Sequence, residues 1–249
     1  MPLAFLASFR PQRQPTRFTG EIWAKFFRQA LGAPIPLLRA HAVARTQYAC
    51  RNFVLDQYRD HVLCCKKHTC SIAGHDHVMN VSEQLIRNSG LRVRVHREVN
   101  TTAADDNKQG DVQAMEFGIP GYDDLIWDVS LVYDRICSSM QHGLNGKLQL
   151  GDYLNARACI KVDRYRRDYA VKNIVFEPAI LSVAGKIFPD FLHLLWVMAD
   201  MQTIKYFNLV GHEDDIGSEC FKWSRASTFS YIRNAIGLAV AGARGGGGF

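Results

Sequence analysis

The chain has 249 residues and a hydrophobic content of 47%, which is enough for a sizeable core and excludes wholesale disorder. Its formal net charge of +6 at pH 7 favours polyanionic partners, although a basic balance alone does not establish nucleic-acid binding. The longest apolar run, residues 191–201, is interrupted by His193 and Asp200, so no membrane span is predicted.

The seven cysteines do not form the pattern of a disulfide framework. Their number is odd, and four of them crowd into residues 50–70 while the others are scattered. Disulfides persist in oxidising compartments, so this usage predicts a reducing, intracellular location, nuclear or cytoplasmic.

The N-terminal part of the chain predicts a tail, a helix and a Cys/His segment. Residues 1–20 are rich in Pro, Arg and Gln, and apolar residues recur at helical spacing over 20–31. Cysteines and histidines then gather in residues 48–70. A further helix is predicted from His75 to Ser89, because its apolar residues form one stripe and Gly90 follows.

Three strands are predicted next. Leu91–Val99 alternates apolar and basic residues at period two, which is typical of a half-buried strand with a positive outer face. Asp111–Phe117 predicts a second strand, and Leu125–Tyr133 predicts a central strand that is apolar except for Asp128. A hairpin between these two would place Asp111 and Asp128 on neighbouring strands.

The remaining elements complete an α/β pattern, a mixed sheet flanked by helices. They are a basic helix over Tyr153–Tyr165, short strands over Ile174–Phe176 and Ile180–Val183 on either side of Pro178, and helices over Phe188–Met201 and Thr228–Ala241. We assign residues 1–45 to an N-terminal tail and helix, 46–71 to the Cys/His segment, 72–210 to the α/β domain and 211–249 to a C-terminal helix and Gly-rich tail.

The acids on the predicted strands suggest phosphodiester hydrolysis. That reaction needs carboxylates that converge on a metal ion, and a nearby lysine can stabilise charge on the phosphate. Asp111 and Asp128 could chelate Mg²⁺, with Glu98 as a third oxygen ligand. Spacing alone leaves a structural alternative open, in which the acids close a turn or satisfy a backbone group and the basic helix is a solvated face.

Six short motifs follow one another in a recognisable order. They are Cys50, His61 and Cys65; Gly74-His75-Asp76; Arg97-Glu98; Gly110-Asp111-Val112; Trp127-Asp128-Val129; and Lys161-Val162-Asp163-Arg164-Tyr165. Their order resembles the restriction-like, PD-(D/E)XK endonuclease domain of site-specific non-LTR retrotransposons, over roughly residues 45–185. That family has a Cys/His knuckle, an Arg-His-Asn/Asp helix start, a strand ending in Glu, a Pro-Asp strand, an Asp-Val strand and a helix with Lys-x-x-x-Tyr.

The resemblance implies a restriction-endonuclease fold and a Mg²⁺- or Mn²⁺-dependent nicking of DNA. The implied catalytic residues are Glu98, Asp111, Asp128 and Lys161. The implied partners are DNA, the element RNA and an upstream reverse transcriptase domain.

The chain departs from the family pattern at three positions. Gly110 stands in place of proline and Gly74 in place of arginine. Ser130 occupies the position of the lysine in the D/E-x-K strand motif, and the resemblance offers Lys161 as its migrated replacement. If Lys161 pointed outward, the domain would be inactive or very slow.

The Cys/His segment leaves two interpretations open. Cys50, His61 and Cys65 suit three positions of a Zn²⁺ knuckle, but a tetrahedral site needs four ligands, and Asn52 stands where a second cysteine is expected. Cys64, His68 or Cys70 could complete the site. The alternative is a decayed knuckle with buried thiols.

Six basic residues are candidates for DNA contacts: His75, Arg92, Arg94, Arg97, Arg164 and Arg167. Contacts of this type position a duplex through its phosphates and read no sequence. We expect the strand and helix arginines to lie on one face; each alone could equally be a solvated charge. His75 could touch a phosphate, steady the metal site or serve only as a helix-end polar group.

Two rival functions remain open at this point. The chain could be a catalytically decayed retroelement remnant that only binds nucleic acid. It could also be an unrelated α/β protein in which the motifs coincide by chance.

Overall fold

The computed structural model describes Arg51, residues 69–95, Val99, and residues 109–132, 152–182 and 185–245. Its elements in chain order are α1 (Thr69–Asn88), β1 (Arg92–Val95), β2 (Val112–Met115), β3 (Asp124–Val132), α2 (Asp152–Ala170), β4 (Ile174–Ser182), α3 (Pro189–Leu209), a 3-10 turn (Glu213–Asp215) and α4 (Glu219–Gly245). The predicted helix at 20–31 and most of the Cys/His segment lie outside the described residues.

The four described strands form one mixed sheet in the order β1-β2-β3-β4. The β1–β2 and β2–β3 pairs are antiparallel, whereas β3 and β4 run parallel. The predicted mixed sheet flanked by helices is thereby confirmed.

The sheet is covered on both faces. One face packs against α1, α3 and α4 in a cluster to which β3 contributes Leu125, Trp127 and Val129. The intervening residue Ile126 packs on the other face with Tyr165 and Tyr169 of α2. Because alternate residues of a strand point to opposite faces, a strand covered on both sides must be apolar almost throughout, as β3 is.

The C-terminal helix belongs to the same core. Residues of α4, among them Ile232 and Ile236, pack in the cluster that includes Val78 and Ile86 of α1. The domain boundaries proposed from the sequence stay predictions. No helix in the described part of the chain is both long and apolar enough to cross a membrane.

Several predicted element bounds are wrong. The helices expected to end at Tyr165 and Met201 continue to Ala170 and Leu209. The two short strands around Pro178 are one continuous strand, β4, which lies at the end of the described sheet. A proline is tolerated there because an edge strand has one side whose N–H groups need no partner strand. The helix expected to begin at Thr228 begins at Glu219, and the helix expected to begin at His75 begins at Thr69.

His75 is therefore an interior residue of α1, so the helix-end role considered for it is wrong. Cys70 lies in the first turn of the same helix. Helix ends are set by packing and by hydrogen bonds to the terminal N–H and C=O groups as much as by the apolar stripe on which the prediction depended.

Candidate active site

Asp111 and Asp128 lie side by side in the sheet. Val112 is paired with Trp127, and the Asp111 amide donates to the Trp127 carbonyl at 2.9 Å, so this register places Asp111 beside Asp128. The Asp111 Oδ2 atom accepts a hydrogen bond of 2.6 Å from the Val129 amide. The prediction that the two acids occupy neighbouring positions of a hairpin is confirmed.

Asp128 is buried, with only 4% of its surface exposed. It follows Ile126 by two residues and so faces α2, from which Lys161 Nζ forms an ion pair with Asp128 Oδ2. The Lys161 side chain is 12% exposed. Lys161 thus points inward, as a lysine that replaces the missing strand lysine must.

His75 approaches the same acids from α1. Its Nε2 atom lies 3.0 Å from Asp111 Oδ2, and its Nδ1 atom lies 3.2 Å from Asp76 Oδ1. The hydrogen bond to Asp111 is the largest influence on its pKa, which is raised to about 9 against the opposing effect of burial. The imidazole is therefore protonated at neutral pH and donates from both ring nitrogens.

The acids of the site influence each other through their charges. Burial, and then the charge of Asp111, raise the pKa of Asp128, whereas Lys161 and His75 act in the opposite direction. Two carboxylates and two cations thus share a small, largely buried volume. Such a cluster is expensive to bury, and groups perturbed in this way concentrate at functional sites.

A tyrosine that the sequence analysis did not single out also contacts this region. The Tyr169 hydroxyl accepts a hydrogen bond of 2.8 Å from the Gly110 amide. Burial is the main cause that raises the Tyr169 pKa to about 12, so the hydroxyl stays neutral. The sequence feature that points to Tyr169 is its spacing from Lys161 and Tyr165. The three residues form an i, i+4, i+8 series along one side of α2.

The arginines of β1 lie on the side of the sheet that carries α2. Val93 and Val95 pack with the cluster under α1, so Arg92 and Arg94, which alternate with them, face the other way. Arg94 is paired with Gln113, which in turn is paired with Ile126 on the α2 face. Arg92 forms an ion pair with Glu116.

The α2 arginines Arg164 and Arg167 are exposed, and the Arg164 guanidinium stacks on the Tyr165 ring at 5.1 Å. Arg92 and Arg94 thus lie on the face of the sheet that α2 covers, whereas the expectation that the strand and helix arginines form one surface stays a prediction. Arg97 lies outside the described residues.

Several other predicted site residues also lie outside the described residues. They are Glu98, Cys50, His61 and Cys65, so the third acid and the zinc site stay predictions. Within the described ranges, no group of three or more His, Cys, Asp and Glu side chains is arranged to hold a metal ion. Asp111 and Asp128 form a pair of carboxylates rather than such a group.

Comparison of the chain with protein-family models gives no match. Comparison with curated proteins gives none either.

Proposed function

We propose that this chain is a metal-dependent DNA endonuclease domain of retroelement origin, with the restriction-like fold that its motifs resemble. The observation that carries the proposal is the convergence of Asp111, Asp128 and Lys161, with His75 against Asp111. These residues come from separate elements and lie far apart in sequence. A buried cluster of charges destabilises a fold unless it has very good geometry, which favours a selected function over a structural one.

The order of the elements supports the same proposal. A helix with His75, a basic strand, a strand preceded by Asp111, a strand with Asp128 and a helix with Lys161 follow one another along the chain. This is the order of the motifs in the family that the sequence resembles. Lys161 reaches Asp128 from the helix, as expected for a lysine that has migrated from the position of Ser130.

The acids fit a divalent cation such as Mg²⁺ or Mn²⁺. Carboxylate oxygens are the ligands that Mg²⁺ prefers, and one or two of them together with water and substrate phosphate commonly suffice. The raised pKa of Asp128, caused by burial and by the charge of Asp111, marks a place where a further cation would be favourable. Asp111 and Asp128 would hold the ion, with Glu98 as the proposed third acid. When bound, such an ion polarises the phosphate and lowers the pKa of a bound water.

The protein residues would contribute orientation and charge. The Val129 amide and His75 fix the Asp111 carboxylate, because a carboxylate that accepts two hydrogen bonds has little freedom to rotate. The Lys161 ammonium would stabilise the negative charge that develops on the phosphate. Arg92, Arg94 and the exposed arginines of α2 would hold the duplex by its phosphates.

The biological setting is also a proposal. A nick made by this domain would prime reverse transcription, with the element RNA and an upstream reverse transcriptase domain as partners, inside the cell. A Zn²⁺ knuckle formed by Cys50, His61 and Cys65 would assist nucleic-acid binding.

Cleavage of supercoiled plasmid tests the function. The wild-type protein is compared with Asp128→Ala in Mg²⁺ and in Mn²⁺, and DNA retardation is measured for both proteins. We expect nicking by the wild type that disappears in the variant, while both retard DNA. Retardation without nicking by either protein would favour a remnant that only binds nucleic acid. Absence of both properties would refute any nucleic-acid function.

A further inference from the structure

We propose that Tyr169 is a positioning residue for the candidate active site, because its hydroxyl holds the Gly110 amide and thereby fixes the backbone from which Asp111 projects. The inference rests on the proposed function, since it concerns where one of the proposed metal ligands is held. Tyr169 touches neither substrate nor metal in this account and acts through Gly110 and Asp111.

The backbone before β2 is anchored from two directions. The Gly110 amide donates to the Tyr169 hydroxyl at 2.8 Å, and the next amide, that of Asp111, donates to the Trp127 carbonyl at 2.9 Å. The first anchor comes from α2 and the second from β3. Two successive amides with different partners fix the two peptide planes on either side of the Gly110 Cα atom, and so the direction in which the Asp111 side chain leaves the chain.

Gly110 allows this backbone to pass unusually close to β3. A Cβ atom at position 110 would lie 2.3 Å from Ile126 Cγ2 and 3.1 Å from the Trp127 carbonyl oxygen. The resembled family usually has proline at this position, but proline has no N–H and could not donate to Tyr169. Gly110 and Tyr169 therefore form an interacting pair, and the glycine is a requirement of that pair.

The Tyr169 ring is itself held firmly. It is fully buried, and it stacks on Phe176 of β4 with ring centroids 6.0 Å apart and an angle of 5° between the rings. Its hydroxyl is consequently a fixed acceptor rather than a mobile one.

The helix α2 contacts the site at two places, at Asp128 and at the residue before Asp111. Lys161 pairs with Asp128, and Tyr169, two turns later on the same helix, holds the residue before Asp111. One rigid element thus sets the position of Lys161 relative to that of Asp111. A shift of α2 would disturb both places together.

Tyr169→Phe tests the inference, since it removes the hydroxyl and keeps the ring. Loss of a residue that orients a metal ligand typically lowers metal affinity by about tenfold or more. We expect the Mg²⁺ concentration for half-maximal nicking to rise by about that factor, while retardation of DNA in the absence of metal stays at the wild-type level. We also expect faster hydrogen exchange at the Gly110 amide, with the β2–β3 amides unchanged.

Ile236→Val is the matched control, because it removes one buried methylene from the cluster on the opposite face of the sheet. It should lower thermal stability without changing the Mg²⁺ dependence. Gly110→Ala, which disturbs the same backbone from the β3 side and leaves Tyr169 intact, should raise the Mg²⁺ requirement as Tyr169→Phe does. It also keeps the inference testable if Tyr169→Phe does not fold.

Three results would overturn the positioning role. They are an unchanged Mg²⁺ requirement in Tyr169→Phe, an unchanged exchange rate at Gly110, or the same increase in the Ile236→Val control. An inactive wild type would instead refute the proposed function, and the exchange rate of the Gly110 amide in Tyr169→Phe would still decide whether the hydroxyl holds this backbone.

Discussion

Replacing Lys161 by methionine removes the cation that pairs with a buried acid. Asp128 is 4% exposed, and Lys161 forms its ion pair from α2. Methionine keeps most of the side-chain length and volume, so the main change is the loss of charge. In the variant, the negative charge of Asp128 still lies beside that of Asp111, but the positive charge of Lys161 no longer offsets them.

The size of the effect follows from the burial of both partners. Removal of one member of a buried ion pair typically destabilises a protein by about 3–5 kcal/mol. His75 still opposes the negative charge of the site, so we expect the free energy of unfolding at pH 7 to fall by about 3 kcal/mol. The double variant Lys161→Met with Asp128→Asn should recover most of this loss, because no buried charge is then left unpaired.

The loss should depend on pH with a definite sign. Burial and the charge of Asp111 already raise the Asp128 pKa above its ordinary value of 3.8, and removal of Lys161 raises it further. An acid whose pKa is higher in the folded state than in the unfolded state stabilises the fold at pH values below its unfolded-state pKa. This contribution is lost as the pH rises through its folded-state pKa. The destabilisation of Lys161→Met should therefore shrink as the pH falls from 7 toward 4.

Urea denaturation followed by circular dichroism measures these differences. Lys222→Met is the control, because Lys222 forms an exposed ion pair with Glu219, and such pairs contribute at most about 1 kcal/mol. Equal and small losses in the two lysine variants would refute the reasoning. So would a double variant no more stable than Lys161→Met.

Three further predictions follow from the charges of the fold. The His75 pKa, raised from 6.5 to about 9, means that the stability of the metal-free protein is full below pH 6.5 and falls by about 3 kcal/mol as the pH rises through 9. Urea denaturation should show this slope, and an undiminished slope in His75→Gln would contradict its assignment to His75. Burial raises the pKa of Glu177 despite the nearby Arg166, so ionisation of Glu177 costs stability. Glu177→Gln should therefore raise the unfolding free energy at pH 7, a gain that disappears below pH 4.5, and its absence in thermal melts would count against the burial argument. Arg94→Ala should weaken DNA retention equally for unrelated sequences and make the slope of log K against log salt shallower by about 1; a loss confined to one sequence would argue against a phosphate contact.

The hairpin that holds the two acids was predictable from the sequence alone. The apolar run that begins at Leu125 contains a single acid, Asp128, and a turn with two glycines separates it from the segment that begins at Asp111. The apolar pattern of the two segments and the turn between them limit the register, and the register fixes which residues are neighbours. The observed pairing of Val112 with Trp127 is the one that brings the acids together.

The inward position of Lys161 could not be obtained from the pattern of α2. That helix is rich in basic residues, and although Lys161 shares one side of it with Tyr165 and Tyr169, this spacing does not say that the side faces Asp128. The sequence offers Lys161 because it is the lysine of that helix, and the family resemblance supports the choice, but the ion pair with Asp128 depends on how the helix packs. Packing contacts of this type are properties of the tertiary structure rather than of local periodicity.

Pro178 and Tyr169 show why other features were missed. Proline commonly breaks a strand, and its acceptance in β4 depends on the place of that strand at the edge of the described sheet. The partner of the Tyr169 hydroxyl is a backbone amide 59 residues away, and no local pattern encodes such a contact. The apolar stripe of α1 becomes regular only after His75 and so predicts a helix start there, whereas the helix begins at Thr69.

Single-turnover nicking of supercoiled plasmid over a range of Mg²⁺ concentrations tests the proposed active site most directly. The comparison is between the wild type and Asp111→Asn, with Asp200→Asn as a control, since Asp200 pairs with Arg225 away from the site. We predict a wild-type rate that requires Mg²⁺ and saturates with it, a rate at least about 100-fold lower in Asp111→Asn, and a nearly unchanged rate in the control. Wild-type nicking that is independent of Mg²⁺, or that survives in Asp111→Asn, would contradict the assignment of this acid pair as a metal-dependent nuclease site.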